Sequence, residues 1–288
     1  MLPLFIIKNG GSTMAKDYSE LVFSDDFMFC KVLVNNPDIC RELISLILKK
    51  DISNIKIPEK QKPIEITADG KGIRLDVYVE GEDEDVVYDI EMQTTLNKNL
   101  PKRTRYYQGM IDLDLIERGA DFSELKKSYI IFVCLTDPFD RNASVYTMQN
   151  RCDEFDDLYL NDEAIKIFLN AKGNSKDIST DLKDFLNYIA TGKAEGSFSK
   201  AIEKEVEKAR NKEEWRTEYM TLEMRYKEKF NEGRAEGKAE GKAEGLAEGI
   251  AKERNTSILN MLKSGKTPEQ ISEFCGYTID EIMAVKMQ

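Results

Sequence analysis

The chain contains no histidine among its 288 residues. That absence removes the side chain most often used as a general base near neutral pH, and with it Ser-His-Asp and Cys-His arrangements and every histidine-liganded metal. Catalysis, if any, must run on carboxylates, Lys, Arg, Tyr or a metal held by oxygen. Cysteine is sparse: Cys30, Cys40, Cys134, Cys152 and Cys275 are odd in number, widely spread and mostly set among apolar residues. Neither a disulfide framework nor a CxxC zinc site can be built from them, and they fit the reducing cytoplasm. No apolar run is long enough to span a bilayer. The one near the start, Leu2 to Ile7, lacks a basic flank and a cleavage pattern and is followed by the structure-breaking Asn9-Gly10-Gly11-Ser12-Thr13. Residues 1–14 are therefore expected to form a disordered, non-secretory extension, with Met14 as an alternative start. Positive charge is in deficit, since 42 Lys and Arg against 53 Asp and Glu leave a net charge of −11. This argues against a protein that coats nucleic acid through a general basic surface, while leaving room for local basic patches.

What remains is 41% hydrophobic and 33% charged, the balance of a soluble globular protein with long exposed helices. The length suits one domain of about 150 residues with appendages. Ser24-Asp25-Asp26 stands where a helix N-cap is preferred, ahead of an apolar run from Phe27 to Leu33. Asn35-Asn36-Pro37 breaks that helix, and Asp38 through Lys49 resumes it with one apolar face. From Lys71 the period becomes two: Ile73, Leu75, Val77 and Val79 alternate with Arg74, Asp76, Tyr78 and Glu80, which predicts a half-buried strand. The turn Gly81-Glu82-Asp83-Glu84-Asp85 leads into a second strand, Val86 to Gln93, and the two form a hairpin. A helix over 100–118 and a fully buried strand at Tyr129 to Leu135 follow. The order of elements predicts an α/β fold with a mixed sheet over residues 15–175.

No strand pattern is read beyond about residue 175, and Leu182 to Ile189 and Phe198 to Lys229 read as helix within a helical region, 176–231. Residues 232–255 carry a Glu-Gly repeat with glycine at 233, 237, 241, 245 and 249. Each glycine costs about 1 kcal/mol relative to alanine in a helix, and the four-residue period sets like charges at i,i+4. Such a helix is marginal alone. It reads either as a flexible charged spacer or as a surface for a partner helix, in particular the same segment of a second chain, which makes the protein a homo-oligomer through its C-terminal helices. In residues 256–288, Thr267-Pro268-Glu269-Gln270 and Thr278-Ile279-Asp280-Glu281 are capping boxes that start short helices. The unit resembles a helix-turn-helix, but Lys263, Lys266 and Lys286 are few for a DNA reader, which favours plain packing.

Centring the hairpin turn near Asp83 and Glu84 sets Asp76 opposite Glu91, with Gln93 on the same face. Opposed carboxylates are destabilising unless a cation neutralises them, and Mg²⁺ takes one or two carboxylates together with water and phosphate oxygens. Spacing alone favours solvent-facing residues of a half-exposed hairpin, of which Asp89 on the same face is an example. The next helix adds a cluster of Lys98, Lys102, Arg103, Arg105, Tyr106 and Tyr107, suited to holding a phosphodiester.

Asp26-Phe27-Met28-Phe29-Cys30-Lys31, Arg74-Leu75-Asp76-Val77, Ile90-Glu91-Met92-Gln93 and Arg103-Thr104-Arg105-Tyr106-Tyr107 together resemble the recombination-promoting nuclease (Rpn) family, a branch of the PD-(D/E)XK nuclease superfamily. The resemblance runs into the Glu-Gly repeat and the helical tail. It implies a restriction-endonuclease-like core followed by an all-helical C-terminal region. It further implies Mg²⁺-dependent DNA cleavage, with Mn²⁺ able to substitute, in recombination or on mobile and foreign DNA. Asp76 and Glu91 would be metal ligands, Asp26 would complete the site, and Gln93 stands at the place of the superfamily lysine. Lys102, Arg103, Arg105 and Tyr106 would contact DNA. Two readings of another class remain: a catalytically silent module on the same fold that binds DNA or a protein, and a self-associating protein whose repeat is its working part.

Overall fold

A computed structural model describes residues 16–64, 72–82, 85–96 and 99–286. The expected extension 1–14, the turn centre at Asp83 and Glu84, and Lys71 and Lys98 lie outside the described residues. Helix α1 (Asp26–Asn35) ends where Asn36 turns out of helical geometry, and Pro37 opens α2 (Pro37–Leu48) in the first turn, where its missing N–H costs nothing. Asp25 stands at the N-cap of α1 but does not cap it. Its carboxylate instead accepts from the Val22 N–H and the Lys16 ammonium, both at 2.8 Å.

A six-stranded sheet follows in the order β1-β2-β3-β4-β6-β5. Its strands are β1 (Glu59–Ile64), β2 (Ile73–Glu80), β3 (Val86–Gln93), β4 (Lys127–Cys134), β5 (Val145–Met148) and β6 (Ala164–Asn170). The β1–β2 and β2–β3 pairs and the outer β5–β6 pair are antiparallel, whereas β3–β4 and β4–β6 are parallel. Helix α3 (Leu100–Leu115) bridges β3 and β4, as a parallel pair requires. The expected mixed-sheet α/β fold is therefore what forms.

Strand β2 is enclosed on both faces over its middle rather than half-buried: Asp76 and Tyr78 are buried along with Leu75, Val77 and Val79, and only Arg74 and Glu80 are partly exposed. The reason is position. β2 lies inside the sheet, with α1 packed on β1 and β2. From α3, Leu100, Tyr107, Met110 and Ile111 pack with Tyr78, Val87, Ile130 and Phe132. Strand β3 is buried along its whole length for the same reason.

Helices α4 (Thr180–Thr191) and α5 (Ser197–Arg210) pack against α2 and α1. The Ser179 hydroxyl caps α4, and Gly192, at φ 73°, supplies the left-handed residue that ends it. The Tyr18 hydroxyl donates to the Ala209 carbonyl at 2.6 Å, fixing α5 to the start of the described chain. Two compact units divide between Thr221 and Leu222, so α4, α5 and the start of α6 (Glu213–Lys263) belong with the sheet. In the second unit Ile258, Ile271, Ile282 and Val285 form a small core where the end of α6 meets α7 (Pro268–Cys275) and α8 (Ile279–Lys286). Both capping boxes form: the Thr267 N–H donates to Gln270 Oε1 at 3.0 Å and the Thr278 N–H to Glu281 Oε2 at 2.9 Å. The Glu-Gly repeat is helical throughout and exposed over residues 232–253, with open space around each of its five glycines. No helix among the described residues is long and apolar enough to cross a membrane.

Candidate metal centre

The sheet opens at Asp76. The β1–β2 ladder pairs Lys60 with Val77 and Lys62 with Leu75, skipping Asp76, and the β2–β3 ladder ends at Val77 and Ile90. One further step of that register sets Asp76 against Glu91, but the pairing there runs through side chains. The Asp76 N–H donates to Glu91 Oε1 at 2.9 Å, and the Met92 N–H donates to Asp76 Oδ2 at 3.2 Å. Each carboxylate thus takes the backbone donor of the other strand. From α1, Asp26 and Cys30, one helical turn apart, come to the same point. Carboxylate oxygens of Asp26 and Asp76 and the Cys30 sulfur lie within 4.8 Å of one another. The Cys30 thiol donates to the Asp76 carbonyl at 3.4 Å.

These groups are enclosed: Glu91 is 0% exposed, Asp89 1% and Asp76 9%. Burial, then the charges of Glu91 and Asp26, hold the Asp76 carboxyl well above the usual carboxylate range. Burial and the neighbouring Asp89 push Glu91 up to about 8, against the opposing pull of Arg103 and of the Asp76 N–H. Asp26 is raised by burial, partly offset by Arg74. Asp89 is raised well above its ordinary value by burial and by Asp76, against the opposing pull of Arg103 and of a hydrogen bond with the Glu91 side chain. Burial and Asp76 also raise the Cys30 thiol, which keeps it protonated and neutral. Crowded, dehydrated carboxyl groups that repel one another are stabilised by a cation. A hard divalent ion suits the oxygen donors, while a protonated thiol makes a poor ligand for it.

A sequence model described as PD-(D/E)XK nuclease family transposase matches residues 24–236, well over half of the chain. The chain belongs to this family. No curated protein and no solved structure matches it at a significant level. PD-(D/E)XK nucleases generally use a divalent metal, and among the described residues Asp26, Asp76 and Cys30 bring together ligand atoms that could hold one, with Glu91 hydrogen-bonded to the Asp76 N–H beside them.

Within this PD-(D/E)XK chain, Gln93 continues the Glu91 face of β3 at 9% exposure. Its Nε2 donates to the Thr95 carbonyl at 2.6 Å, and its Oε1 accepts from Arg103 at 3.0 Å. Of the four residues expected to contact DNA, Lys102, Arg105 and Tyr106 are exposed on α3. Arg103 is instead turned inward, hydrogen-bonded to Glu91, Gln93 and Tyr107. Two participants carried no expectation of a role. Cys30 sits four residues after Asp26, a spacing that sets both on one helical face and could have flagged it. Asp89, taken as an example of an ordinary exposed acid, is among the most deeply buried residues of the site, because β3 is an inner strand.

Proposed function

We propose that the protein is a divalent-metal-dependent endonuclease that hydrolyses phosphodiester bonds in DNA, acting in the cytoplasm on recombining, mobile or foreign DNA. The observation that carries this reading is the meeting of Asp26 and Asp76, with Glu91 hydrogen-bonded to the Asp76 N–H, at the point where the sheet ladders part. Asp76 and Glu91 are buried and repel one another, and Asp26 is half-buried beside them, in a chain of the PD-(D/E)XK family. Asp76 and Glu91, with Asp26, would hold the ion. Bound Mg²⁺, or Mn²⁺ in its place, would supply Lewis-acid polarisation of a phosphodiester and of the attacking water. Gln93, its amide fixed between Thr95 and Arg103, faces the same site and orients substrate. Lys102, Arg105 and Tyr106, exposed on α3, bind the DNA backbone, the cations to phosphate oxygens and the tyrosine by stacking or hydrogen bonding.

The assay is nicking of supercoiled plasmid by the full chain with Mg²⁺, with EDTA, and with folded Asp76→Ala and Glu91→Ala variants. Nicking that needs the metal and both carboxylates supports the reading. A wild type that is inert with Mg²⁺ and Mn²⁺ on duplex and single-stranded DNA, yet still binds DNA, turns the domain into a binding module.

A second proposal concerns the repeat. Five glycines should cost its helix about 5 kcal/mol, and it runs exposed within a 51-residue helix. We infer that a second copy of the chain packs along its glycine and alanine positions, where small side chains let backbones approach. Sedimentation of the wild type and of a chain lacking residues 230–255 tests this: the wild type should form dimers or larger assemblies and the deletion should not.

A further inference from the structure

The site lacks one component that its family pattern carries, a lysine two residues after the metal-ligating acid; Gln93 is there instead, and an amide has no charge. From α3, Arg103 reaches the same spot. Its Nη2 donates to the Glu91 carboxylate, its Nη1 to Gln93 Oε1 at 3.0 Å and its Nε to the Tyr107 hydroxyl at 2.9 Å. The guanidinium also lies over the rings of Tyr107 and Phe132, 4.9 and 5.1 Å from their centroids. With three of five donors committed and two rings against it, this cation is held in place. A group that follows a mobile phosphate is built differently, as Lys102 and Arg105 on the same helix are, both exposed. The two contacts on β3 also tie together the residue that ligates metal and the residue that replaces the lysine.

We propose that Arg103 is the resident cation of the site: a positioning residue that holds Glu91 and Gln93 and carries from α3 the positive charge that Gln93 cannot carry from β3. Its activity consequences rest on the nuclease reading above; its consequences for cation binding do not. A fixed guanidinium on Glu91 competes with a divalent ion for that carboxylate, so removing it should tighten metal binding even as it slows the reaction. A brace needed only for packing would do the reverse on the first count and leave nothing for a relocated charge to repair.

The experiment compares the full-length wild type with Arg103→Met, Arg103→Lys and the double variant Gln93→Lys/Arg103→Met. Mn²⁺ binding is followed by electron paramagnetic resonance, and plasmid nicking is followed in Mg²⁺. Arg103→Met should bind Mn²⁺ about tenfold more tightly, the effect of removing a like charge at contact distance. It should nick about 10–100-fold more slowly, with the loss in kcat rather than KM, as for groups that orient metal ligands. Arg103→Lys should keep the wild-type Mn²⁺ affinity. The double variant, which moves the charge to β3, should recover nicking to within about tenfold of wild type. Weaker or unchanged Mn²⁺ binding by Arg103→Met overturns the proposal, as does a double variant no better than the single one. If the wild type does not nick DNA at all, the nuclease reading fails by itself, and the Mn²⁺ titrations of Arg103→Met and Arg103→Lys still decide whether Arg103 is the resident cation. Should Arg103→Met fail to fold, Arg103→Gln, alone and with Gln93→Lys, takes its place in both comparisons.

Discussion

Because the chain has no histidine, no side chain titrates at its ordinary value between about pH 5 and 8. A stability slope across that range in the metal-free protein therefore reports carboxyl groups shifted by the fold. Asp76, Asp89 and Glu91 are all raised by burial and by one another, Glu91 to about 8. In the unfolded chain such groups have lost their protons by about pH 5. The folded chain still holds them, so it binds more protons than the unfolded one, and stability falls as pH rises from the ordinary carboxyl range through about 8. For Glu91, raised from 4.5 to about 8, the ceiling is about 5 kcal/mol, a tenfold change in proton affinity being worth about 1.4 kcal/mol. Relaxation lowers that ceiling, and a net loss of about 2–3 kcal/mol between about pH 6 and 9 is expected. For a unit of this size the melting temperature should drop by roughly 4–12 °C. Circular dichroism melts in EDTA across this range measure it. Mn²⁺ at about 100 times its Kd adds about 2.7 kcal/mol and should cancel most of the drop. A flat or rising melting temperature in EDTA refutes the reasoning, as does an unchanged slope in an Asp76→Asn/Asp89→Asn variant.

Other parts of the molecule make separate commitments. Burial pushes the Cys40 and Cys134 thiols up to about 12 and holds Cys30 well above the ordinary thiol range, whereas Cys152 and Cys275 are partly exposed. Titration of the native protein with an aromatic disulfide reagent at about pH 8 should find the latter two reactive and the other three only after denaturation; rapid reaction of Cys30 contradicts the enclosed site. In the tail, Ile271→Ala should destabilise the small core by about 2–4 kcal/mol while plasmid nicking stays at the wild-type rate, as limited proteolysis and the nicking assay together would show. Gly237→Ala, with open space around it, should add about 1 kcal/mol of helix stability. The bulkier Gly237→Leu should weaken self-association in sedimentation, and an unaltered assembly removes the glycine face from the interface.

Periodicity exposed the elements whose residues face two different surroundings. The hairpin pairing of Asp76 with Glu91 followed from the turn position, and the helix breaks at Asn36 and beyond Leu115 lie close to the punctuating residues. Strand β1 gave no such signal. It is an edge strand of Glu, Lys, Gln and a proline, and edge position is what tolerates both the charge and the missing N–H of Pro63. The short edge strand β5 was equally silent. Strand β6 carries an alternating pattern, Ile165, Ile167 and Leu169, but over a span too short to stand out from the polar loop before it. At the site, the types of residue were legible but their enclosure was not, because burial of Asp89 and Glu91 depends on α1 and α3 closing over an inner strand. The inward turn of Arg103 has the same origin: a basic cluster at a helix start reads as surface until the facing strand is shown to offer a carboxylate.

The most direct test of the account is an anomalous difference map from crystals of the full chain soaked in Mn²⁺. A peak at bonding distance from carboxylate oxygens of Asp76 and Glu91, with Asp26 beside it, is the expected result, and it should vanish in Asp76→Asn. Crystals that take up Mn²⁺ only at exposed acids, leaving Asp26, Asp76 and Glu91 without a peak, contradict the assignment of this site.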